Sequence, residues 1–385
     1  MNHIKLKSLQ RLLLIFIFAV LSTLDIGLLA QGTTIKSINS NGLSRSFRVH
    51  LPVGFNANAG LPLVFNFHGF GSSAIEQEIY SGMSIVSDQN SFVVVYPEGI
   101  SKAWNVGWAF GSTANDVKFV SDMIDYMTKE YNINTKKVYA CGMSNGGFMS
   151  YKLACDLNDR ITAIASVTGS MVASELKKCS PPKTIPILKI HGTADDVVAY
   201  NGTFGISQPI TEVLNFWRDH NDCDLVPTNQ KLPKLNAQET TNTEVIRYLN
   251  CNNDHEVLHY KVNKGGHTWP GSSIAVGVTS QDFNASEEIW KFFNRFETKV
   301  VSNIYNQTII DDYGMHKYSN PIPDVLSLEL NQDTELIIFN ISGQVIHTQS
   351  LLKNNNLINL SQLSSGLYFM HLRSNQTNKT FKIIK

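Results

Sequence analysis

Between residues 45 and 296, short apolar runs alternate with segments in which apolar residues recur at helical spacing. The runs, at residues 63–67, 92–96, 138–141, 161–167 and 185–190, are continuous, as is typical of parallel strands covered on both faces. One helical segment contains Val117, Val120, Ile124 and Met127 behind a capping candidate, Asn115. This alternation predicts an α/β fold with a mainly parallel sheet, whose active site forms at the carboxyl ends of the strands.

The pattern changes after Phe296. Residues 298–319 are polar and show no sustained period, which predicts a linker. From residue 320 onward, short alternating strands at 325–330, 335–340 and 367–372 are separated by turn signals such as Ser342-Gly343. We therefore expect an α/β domain at residues 31–297 and a small all-β, sandwich-like domain at residues 320–385.

The first 30 residues have the pattern of a secretory signal peptide. A basic start precedes an apolar run at residues 12–21, and Ala30 offers a small residue at the cleavage site. The alternative is a membrane anchor, but Ser22, Thr23 and Asp25 cut the run well below the roughly 20 apolar residues that a span requires. We therefore expect export and no stable membrane span.

Composition narrows the function classes. The 385 residues include 32 Lys plus Arg and 32 Asp plus Glu, so the formal net charge is zero. This balance argues against a nucleic-acid binder that depends on phosphate neutralisation. The hydrophobic fraction of 43% suffices for a sizeable core and excludes a disordered chain.

Five cysteines follow the predicted signal peptide. In an oxidising compartment their spacing suggests pairing of Cys155 with Cys179 and of Cys223 with Cys251, although spacing alone does not fix the connectivity. Cys141 is left over at the end of an apolar strand. We expect it to be a buried free thiol.

A G-x-S-x-G sequence, residues 142–146, follows the strand that ends at Cys141 and leads into a helical segment at 148–157. This context predicts a nucleophile elbow, with the Ser144 hydroxyl raised above the sheet. The N–H of Asn145 begins the helix and is a candidate oxyanion donor. A second donor is expected after an early strand, where the Phe70 N–H is the candidate.

A serine nucleophile needs a histidine base oriented by a carboxylate, in the chain order Ser, acid, His for this architecture. Asp195 follows a predicted strand and is the candidate acid, with neighbouring Asp196 as its rival. His267 follows Gly265-Gly266, which let a loop project it inward, and is the candidate base; the alternative is a surface histidine.

Two other motif matches are rejected. Residues 69–74 imitate a dinucleotide-binding glycine pattern, but no acidic residue ends a second strand at the expected distance. Residues 255–259 match H-E-x-x-H, but they lie in a predicted strand, where His255 and His259 would be about 13 Å apart. We therefore predict no metal and no cofactor.

These motifs, together with Tyr96-Pro97-Glu98-Gly99 and Trp104-Asn105, resemble the secreted α/β-hydrolases of carbohydrate esterase family 1. That family includes feruloyl esterases, acetylxylan esterases and polyhydroxybutyrate-depolymerase-like esterases. The resemblance implies a Ser144, His267 and Asp195 triad with Phe70 and Asn145 as oxyanion amides. It also supports the two cysteine pairs named above.

The tail resembles the C-terminal sorting domain of the type IX secretion system of Bacteroidetes. The resemblance rests on Asn320-Pro321-Ile322-Pro323-Asp324, Ile341-Ser342-Gly343-Gln344, the strand that begins Gly366-Leu367-Tyr368 and the basic end, residues 382–385. It implies contact with secretion machinery and passage through the periplasm of a Gram-negative bacterium to the cell surface or outside. A carbohydrate-binding β-module is the alternative.

The expected function is hydrolysis of feruloyl or acetyl esters on plant cell-wall polysaccharide by a monomeric enzyme. Trp104, Trp108 and Trp269 flank the motifs and are candidates for stacking on sugar or aromatic acyl groups, although each is equally compatible with a core position. A hydroxyalkanoate polyester esterase and a non-catalytic surface-binding protein stay open as alternatives.

Overall fold

The computed structural model of the protein describes residues 32–274, 276–297, 309–311, 314–316, 325–330, 332–364, 366–374 and 378–385. The chain divides into two compact units, Met1–Thr298 and Lys299–Lys385. The predicted signal peptide lies outside the described residues, as does most of the predicted linker.

The first unit is built on one ten-stranded sheet. Its strands are β1 (Thr33–Ser40), β2 (Leu43–His50), β3 (Leu63–Phe67), β4 (Val93–Pro97), β5 (Val138–Met143), β6 (Ala163–Val167), β7 (Ile187–Gly192), β8 (Thr228–Lys231), β9 (Asn242–Tyr248) and β10 (Val257–Asn263). The spatial order is β1-β2-β4-β3-β5-β6-β7-β10-β9-β8. The six central strands, from β4 to β10 in that order, are parallel. Antiparallel strands extend the sheet at both edges.

Helices cover both faces of this sheet. In the described residues they are α1 (Ala74–Ser81), α2 (Met83–Asn90), α3 (Asp116–Tyr131), α4 (Asn145–Asp156), α5 (Ala173–Lys178), α6 (Ile210–His220) and α7 (Ala285–Phe293). Helix α3 begins as predicted, because the Asn115 side chain accepts a hydrogen bond from the Lys118 N–H. Neighbouring strand residues such as Val64 and Phe65 belong to separate apolar clusters, one on each face. Burial on both faces explains why the central strands are continuously apolar.

The predicted α/β fold with a mainly parallel sheet is confirmed. All five strands predicted from continuous apolar runs are present, and their bounds differ from the prediction by at most two residues at either end. The antiparallel edge strands β1, β2, β8 and β9 were not predicted. Strand β8 is exposed along its whole length, so it lacks the apolar run by which the central strands were recognised.

The second unit is all-β, as predicted. Its strands are β11 (Ile309–Asp311), β12 (Gly314–His316), β13 (Val325–Leu330), β14 (Thr334–Asn340), β15 (Val345–Leu351), β16 (Asn354–Asn359), β17 (Leu367–Arg373) and β18 (Asn378–Ile384). A four-stranded antiparallel sheet, β15-β14-β17-β18, and the pair β13-β16 share one apolar cluster, which makes the domain sandwich-like. Strands β11 and β12 form a short antiparallel pair within the predicted linker.

Two disulfides have the predicted connectivity, Cys155–Cys179 and Cys223–Cys251. The first joins the last turn of α4 to the residue after α5. Cys141 is free and buried, as predicted, and burial raises the pKa of its thiol. Among the helices that the structure describes, none is long and apolar enough to cross a membrane.

Candidate active site

Ser144 occupies the sharp turn between β5 and α4. Its backbone has φ 54° and ψ −121°, a conformation that side chains rarely adopt and that the surroundings must hold. The Ser144 N–H donates to the Val167 carbonyl at 2.9 Å and lies 3.2 Å from the Thr168 hydroxyl. The end of β6 therefore fixes the turn from one side.

The two glycines of the motif fix the turn from the other side. A Cβ on Gly142 would lie 2.6 Å from the Gly146 carbonyl carbon and 2.7 Å from the Phe67 oxygen. A Cβ on Gly146 would collide with the Phe67 carbonyl itself. Because β3 ends against this turn, the G-x-S-x-G spacing is a packing requirement of the fold.

Asp195 and His267 meet at the same edge of the sheet. The His267 Nδ1 lies 2.8 Å from Asp195 Oδ2 and 3.0 Å from Oδ1. The buried carboxylate also accepts hydrogen bonds from the N–H groups of Val197 and Val198, at 3.0 and 2.8 Å. The rival acid, Asp196, is exposed.

The loops that carry the acid and the base are joined directly. The Ala194 N–H donates to the Gly265 carbonyl at 2.9 Å, and the Thr193 N–H donates to the Val262 carbonyl at 2.9 Å. Gly192 and Gly265 approach so closely that a Cβ on Gly192 would collide with the Gly265 oxygen. The separation of acid and base is thus set by the parallel pairing of β7 with β10.

A pocket of about 190 Å³ is lined by three of the candidate residues. Its lining includes Ser144, His267, Phe70, Met143 and Tyr80. A larger pocket of about 310 Å³ lies beside α1 and α2, shares Tyr80, and contains neither Ser144 nor His267. The smaller pocket is the candidate active site, because Ser144 and His267 both line it.

Both candidate oxyanion residues have defined backbone positions. Asn145 is the first residue of α4, where an N–H has no acceptor within the helix. Phe70 lies in the loop after β3, next to His68, whose Nδ1 is 2.8 Å from the Gly69 carbonyl and whose Nε2 accepts from the Gly99 N–H at 3.0 Å. Burial lowers the pKa of His68 to about 4. Neutral His68 therefore holds this loop as both donor and acceptor.

The structure corrects the stacking interpretation of Trp104 and Trp269. Their exposed fractions are 1% and 0%, so neither ring has a face open to a ligand. The Trp104 indole N–H donates to the His68 carbonyl at 2.9 Å, and the Trp104 N–H donates to the Asn145 side chain at 2.7 Å. The Trp269 indole N–H lies 3.1 Å from the Ser286 hydroxyl. Both tryptophans are core residues, and Trp104 joins the Phe70 loop to the elbow.

Trp108 is half-buried and belongs to an aromatic cluster beside the pocket. Its ring stacks on Phe110 at 5.1 Å between centroids, and Phe70 lies 6.4 Å from Trp108 and 5.9 Å from Phe110. Phe70 and Phe110 are 52% and 49% exposed. Phe110 was not predicted as a site residue. The signal for it in the sequence is its position two residues after Trp108.

Residues 111–230 match the family model described as Phospholipase/Carboxylesterase, and residues 317–385 match that of the secretion system C-terminal sorting domain. A bifunctional acetylxylan esterase/xylanase of Neocallimastix patriciarum is 28% identical over 268 residues, covering 68% of this chain and 35% of that protein. Feruloyl esterase B of Piromyces equi is 34% identical over 240 residues, covering 58% and 42%. An acetyl xylan esterase from Aspergillus awamori has a TM-score of 0.51 at 13% identity, covering 68% of this chain and 99% of that one.

The sheet order and the structural match give the larger unit the α/β-hydrolase fold. The chain is similar in sequence to feruloyl and acetylxylan esterases, and its residues 317–385 are similar to the secretion system C-terminal sorting domain. The chain spans less than half the length of the two curated relatives described above.

Proposed function

We propose that the larger unit is a serine carboxylic-ester hydrolase. The observation that carries this proposal is that Ser144, on a strained elbow, lines the same pocket as His267, whose Nδ1 lies 2.8 Å from Asp195 Oδ2. In this proposal Ser144 is the nucleophile, His267 the general base and Asp195 the acid that orients it. The N–H groups of Phe70 and Asn145 bind the oxyanion.

The reaction has two halves. His267 takes the proton of the Ser144 hydroxyl as the oxygen attacks the ester carbonyl, and the negative charge moves to the carbonyl oxygen. The C–O bond then breaks, and the alcohol leaves with the proton that His267 returns. In the second half His267 takes a proton from a water molecule as the water oxygen attacks the acyl carbon. The bond between that carbon and the Ser144 oxygen then breaks as His267 returns the proton to the Ser144 oxygen, which releases the carboxylic acid and free Ser144.

We propose feruloyl or acetyl esters on plant cell-wall polysaccharide as the substrates. The names of the relatives support this class, and the exposed rings of Phe70 and Phe110 favour an aromatic acyl group. Hydrolysis of hydroxyalkanoate polyesters is the second candidate. Release of ferulate, acetate and hydroxybutyrate from the matching polymers by the purified protein separates these substrates.

Ser144→Ala tests the mechanism. Loss of a triad serine lowers kcat by roughly a million-fold in a serine hydrolase, so hydrolysis of p-nitrophenyl acetate should fall to background. A fluorophosphonate should label the wild-type protein and the Ser180→Ala control, in which an exposed serine is replaced. Labelling of Ser144→Ala at the wild-type rate would contradict the proposal, and failure of the wild type to react would favour a non-catalytic binding protein.

Phe110→Ala tests the acyl preference. An aromatic contact contributes about 0.5–1.5 kcal/mol, so kcat/KM for a feruloyl ester should fall by about 2- to 13-fold relative to an acetyl ester. Leu225→Ala, an exposed apolar residue next to β8, is the matched control and should leave this ratio unchanged. An unchanged ratio in Phe110→Ala would exclude the aromatic cluster from acyl binding.

We further propose export by way of the periplasm to the cell surface or outside, with the C-terminal unit engaging the secretion machinery. The match of residues 317–385 supports this route. Deletion of residues 317–385 should retain the hydrolase in the cell. Release of the truncated protein at the normal level would contradict the assignment, and size-exclusion chromatography tests the expected monomer.

A further inference from the structure

A second histidine lies behind the Asp195–His267 pair and has no part in the proposed reaction. His191 is the fifth residue of the six-residue strand β7 and has no exposed surface. Its Nε2 is 2.8 Å from the Val198 carbonyl oxygen and 3.3 Å from Asp195 Oδ2. It therefore touches both the acid and the loop that carries it.

The contacts define the tautomer of His191. A carbonyl oxygen only accepts, so the proton is on Nε2 and is directed at Val198. The Nδ1 atom is buried and has no hydrogen-bond partner among the described residues. Burial, followed by the charge of Lys189, lowers the pKa of His191 well below its ordinary value. His191 is thus a neutral donor beside a carboxylate.

The same contacts fix the loop of the acid. The Val197 and Val198 N–H groups bind Asp195 Oδ1, and the Val198 carbonyl is held by His191. Val198 is therefore bound on both sides, through its N–H to the carboxylate and through its carbonyl to the imidazole. The bond from His191 to the Val198 carbonyl restricts the peptide that follows Val198 and so helps to hold the turn that presents the two N–H groups to Asp195.

The His191 ring is itself fixed by its neighbours. Tyr200 meets it edge-on, with 5.9 Å between centroids, and the Tyr200 hydroxyl is 3.0 Å from His259 Nε2. The His259 Nδ1 lies 3.2 Å from the Lys189 carbonyl. Burial lowers the pKa of His259 to about 3, so its neutral ring donates to Lys189 and accepts from Tyr200. These contacts leave the His191 imidazole in one orientation.

We propose that His191 is a positioning residue for the acid of the triad. Its Nε2–H clamps the Val198 carbonyl and faces Asp195 Oδ2, which holds the carboxylate where His267 can bind it. This inference rests on the proposed hydrolase function. The segment of residues 191–195 then contains two functional side chains: Asp195 is the acid, and His191 holds the acid in position.

Two substitutions separate positioning from packing. Glutamine places its amide nitrogen near the position of Nε2, whereas asparagine places it near that of Nδ1. We expect His191→Asn to lower kcat for p-nitrophenyl acetate about 10- to 100-fold with KM nearly unchanged, the effect of losing one hydrogen bond next to a charged group. His191→Gln should restore most of kcat. Equal losses in both variants, or a rise in KM alone, would overturn the proposal.

A double-mutant cycle tests whether His191 acts through the acid. In an Asp195→Ala background, His191→Asn should cost far less than its 10- to 100-fold effect in the wild type, because the two changes break one unit. The same cost in both backgrounds would show that His191 acts elsewhere.

The tautomer of His191 can be measured on the wild-type protein, by nitrogen NMR of the full-length chain with labelled histidines, so this test needs no variant. It should show His191 neutral with the proton on Nε2, and a proton on Nδ1 would refute the clamp. This result does not depend on turnover. An inactive wild type with the expected tautomer would therefore refute the hydrolase function and leave the clamp geometry standing.

Discussion

The proposed nucleophile and the proposed acid–base pair are positioned by different physical means. The elbow is five consecutive residues, and backbone contacts leave no room for a side chain at Gly142 or Gly146. Asp195 and His267 are 72 residues apart; the close approach of Gly192 and Gly265 brings their loops side by side, and hydrogen bonds hold the two side chains together. The elbow should therefore fail when a methyl group is added. The acid–base pair should fail when a donor or acceptor is exchanged and the shape is kept.

On the acid–base side, Asp195→Asn should give the largest effect. It keeps the shape of the side chain, but an amide cannot hold His267 in the tautomer that accepts the serine proton, and in a serine triad this change lowers kcat by about 10,000-fold. Asp196→Asn, at the exposed neighbouring position, should leave kcat unchanged. The measurement is steady-state hydrolysis of p-nitrophenyl acetate. A larger loss in Asp196→Asn would make the rival residue the acid.

Gly146→Ala tests the elbow. The added Cβ would collide with the Phe67 carbonyl, which is backbone and cannot rotate away, so we expect a loss of about 4 kcal/mol in the free energy of unfolding. Gly366→Ala in the C-terminal unit meets only ordinary contacts, the nearest at 3.7 Å, and is the matched control. Urea titration measures both, and equal stabilities would remove close packing as the reason for the motif.

The two disulfides test whether the elbow also depends on contacts far from Ser144. Removing either bridge by a double Cys→Ser change should cost about 3 kcal/mol, since the two loops span 24 and 28 residues. Cys155–Cys179 holds the far end of α4, the helix that begins beside Ser144, so its loss should also lower kcat. Loss of Cys223–Cys251 should lower stability alone. If both double variants kept wild-type kcat, the elbow would not need an anchored helix.

The last prediction concerns pH and the acid–base side. The pKa of His259 is about 3 in the folded protein and 6.5 ordinarily, so between these values only the unfolded chain binds the proton. The contribution of His259 to the free energy of unfolding is therefore fully present above pH 6.5. As the pH falls from 6.5 towards 3, this contribution decreases by up to about 1.4 kcal/mol per pH unit. His259→Gln lacks this term, so its stability should approach that of the wild type from pH 6.5 to 4. A constant gap would contradict the prediction.

The sequence predicted best what local packing determines. The central strands were recognised because burial on both faces leaves them continuously apolar. The elbow was recognised because no residue with a side chain fits at Gly142 or Gly146. Edge strands such as β8 have no such pattern, since they are exposed. The choice between Asp195 and Asp196 stayed open because neighbouring residues differ only in orientation, which the β7–α6 loop decides.

Proximity along the chain was a poor guide to the pocket lining. Trp104 and Trp269 flank catalytic motifs, yet both point into the core, where their N–H groups are satisfied. Phe110 carries no motif, yet its ring lies 5.9 Å from that of Phe70, which lines the pocket. The direction in which a loop side chain points depends on contacts made after folding, such as the bond from Trp108 to the Ile206 carbonyl at 2.8 Å.

The unpaired thiol of Cys141 has a consequence for the order of oxidative folding. In the folded chain it is inaccessible at the centre of the sheet, and its raised pKa suppresses the reactive thiolate. Before β5 is enclosed by β3 and β6, the Cys141 thiol is free to form a non-native disulfide with any of the other four cysteines. Correct pairing is therefore favoured when the sheet closes faster than the thiols are oxidised, so the assembly of the catalytic edge also protects the chain from scrambled bridges.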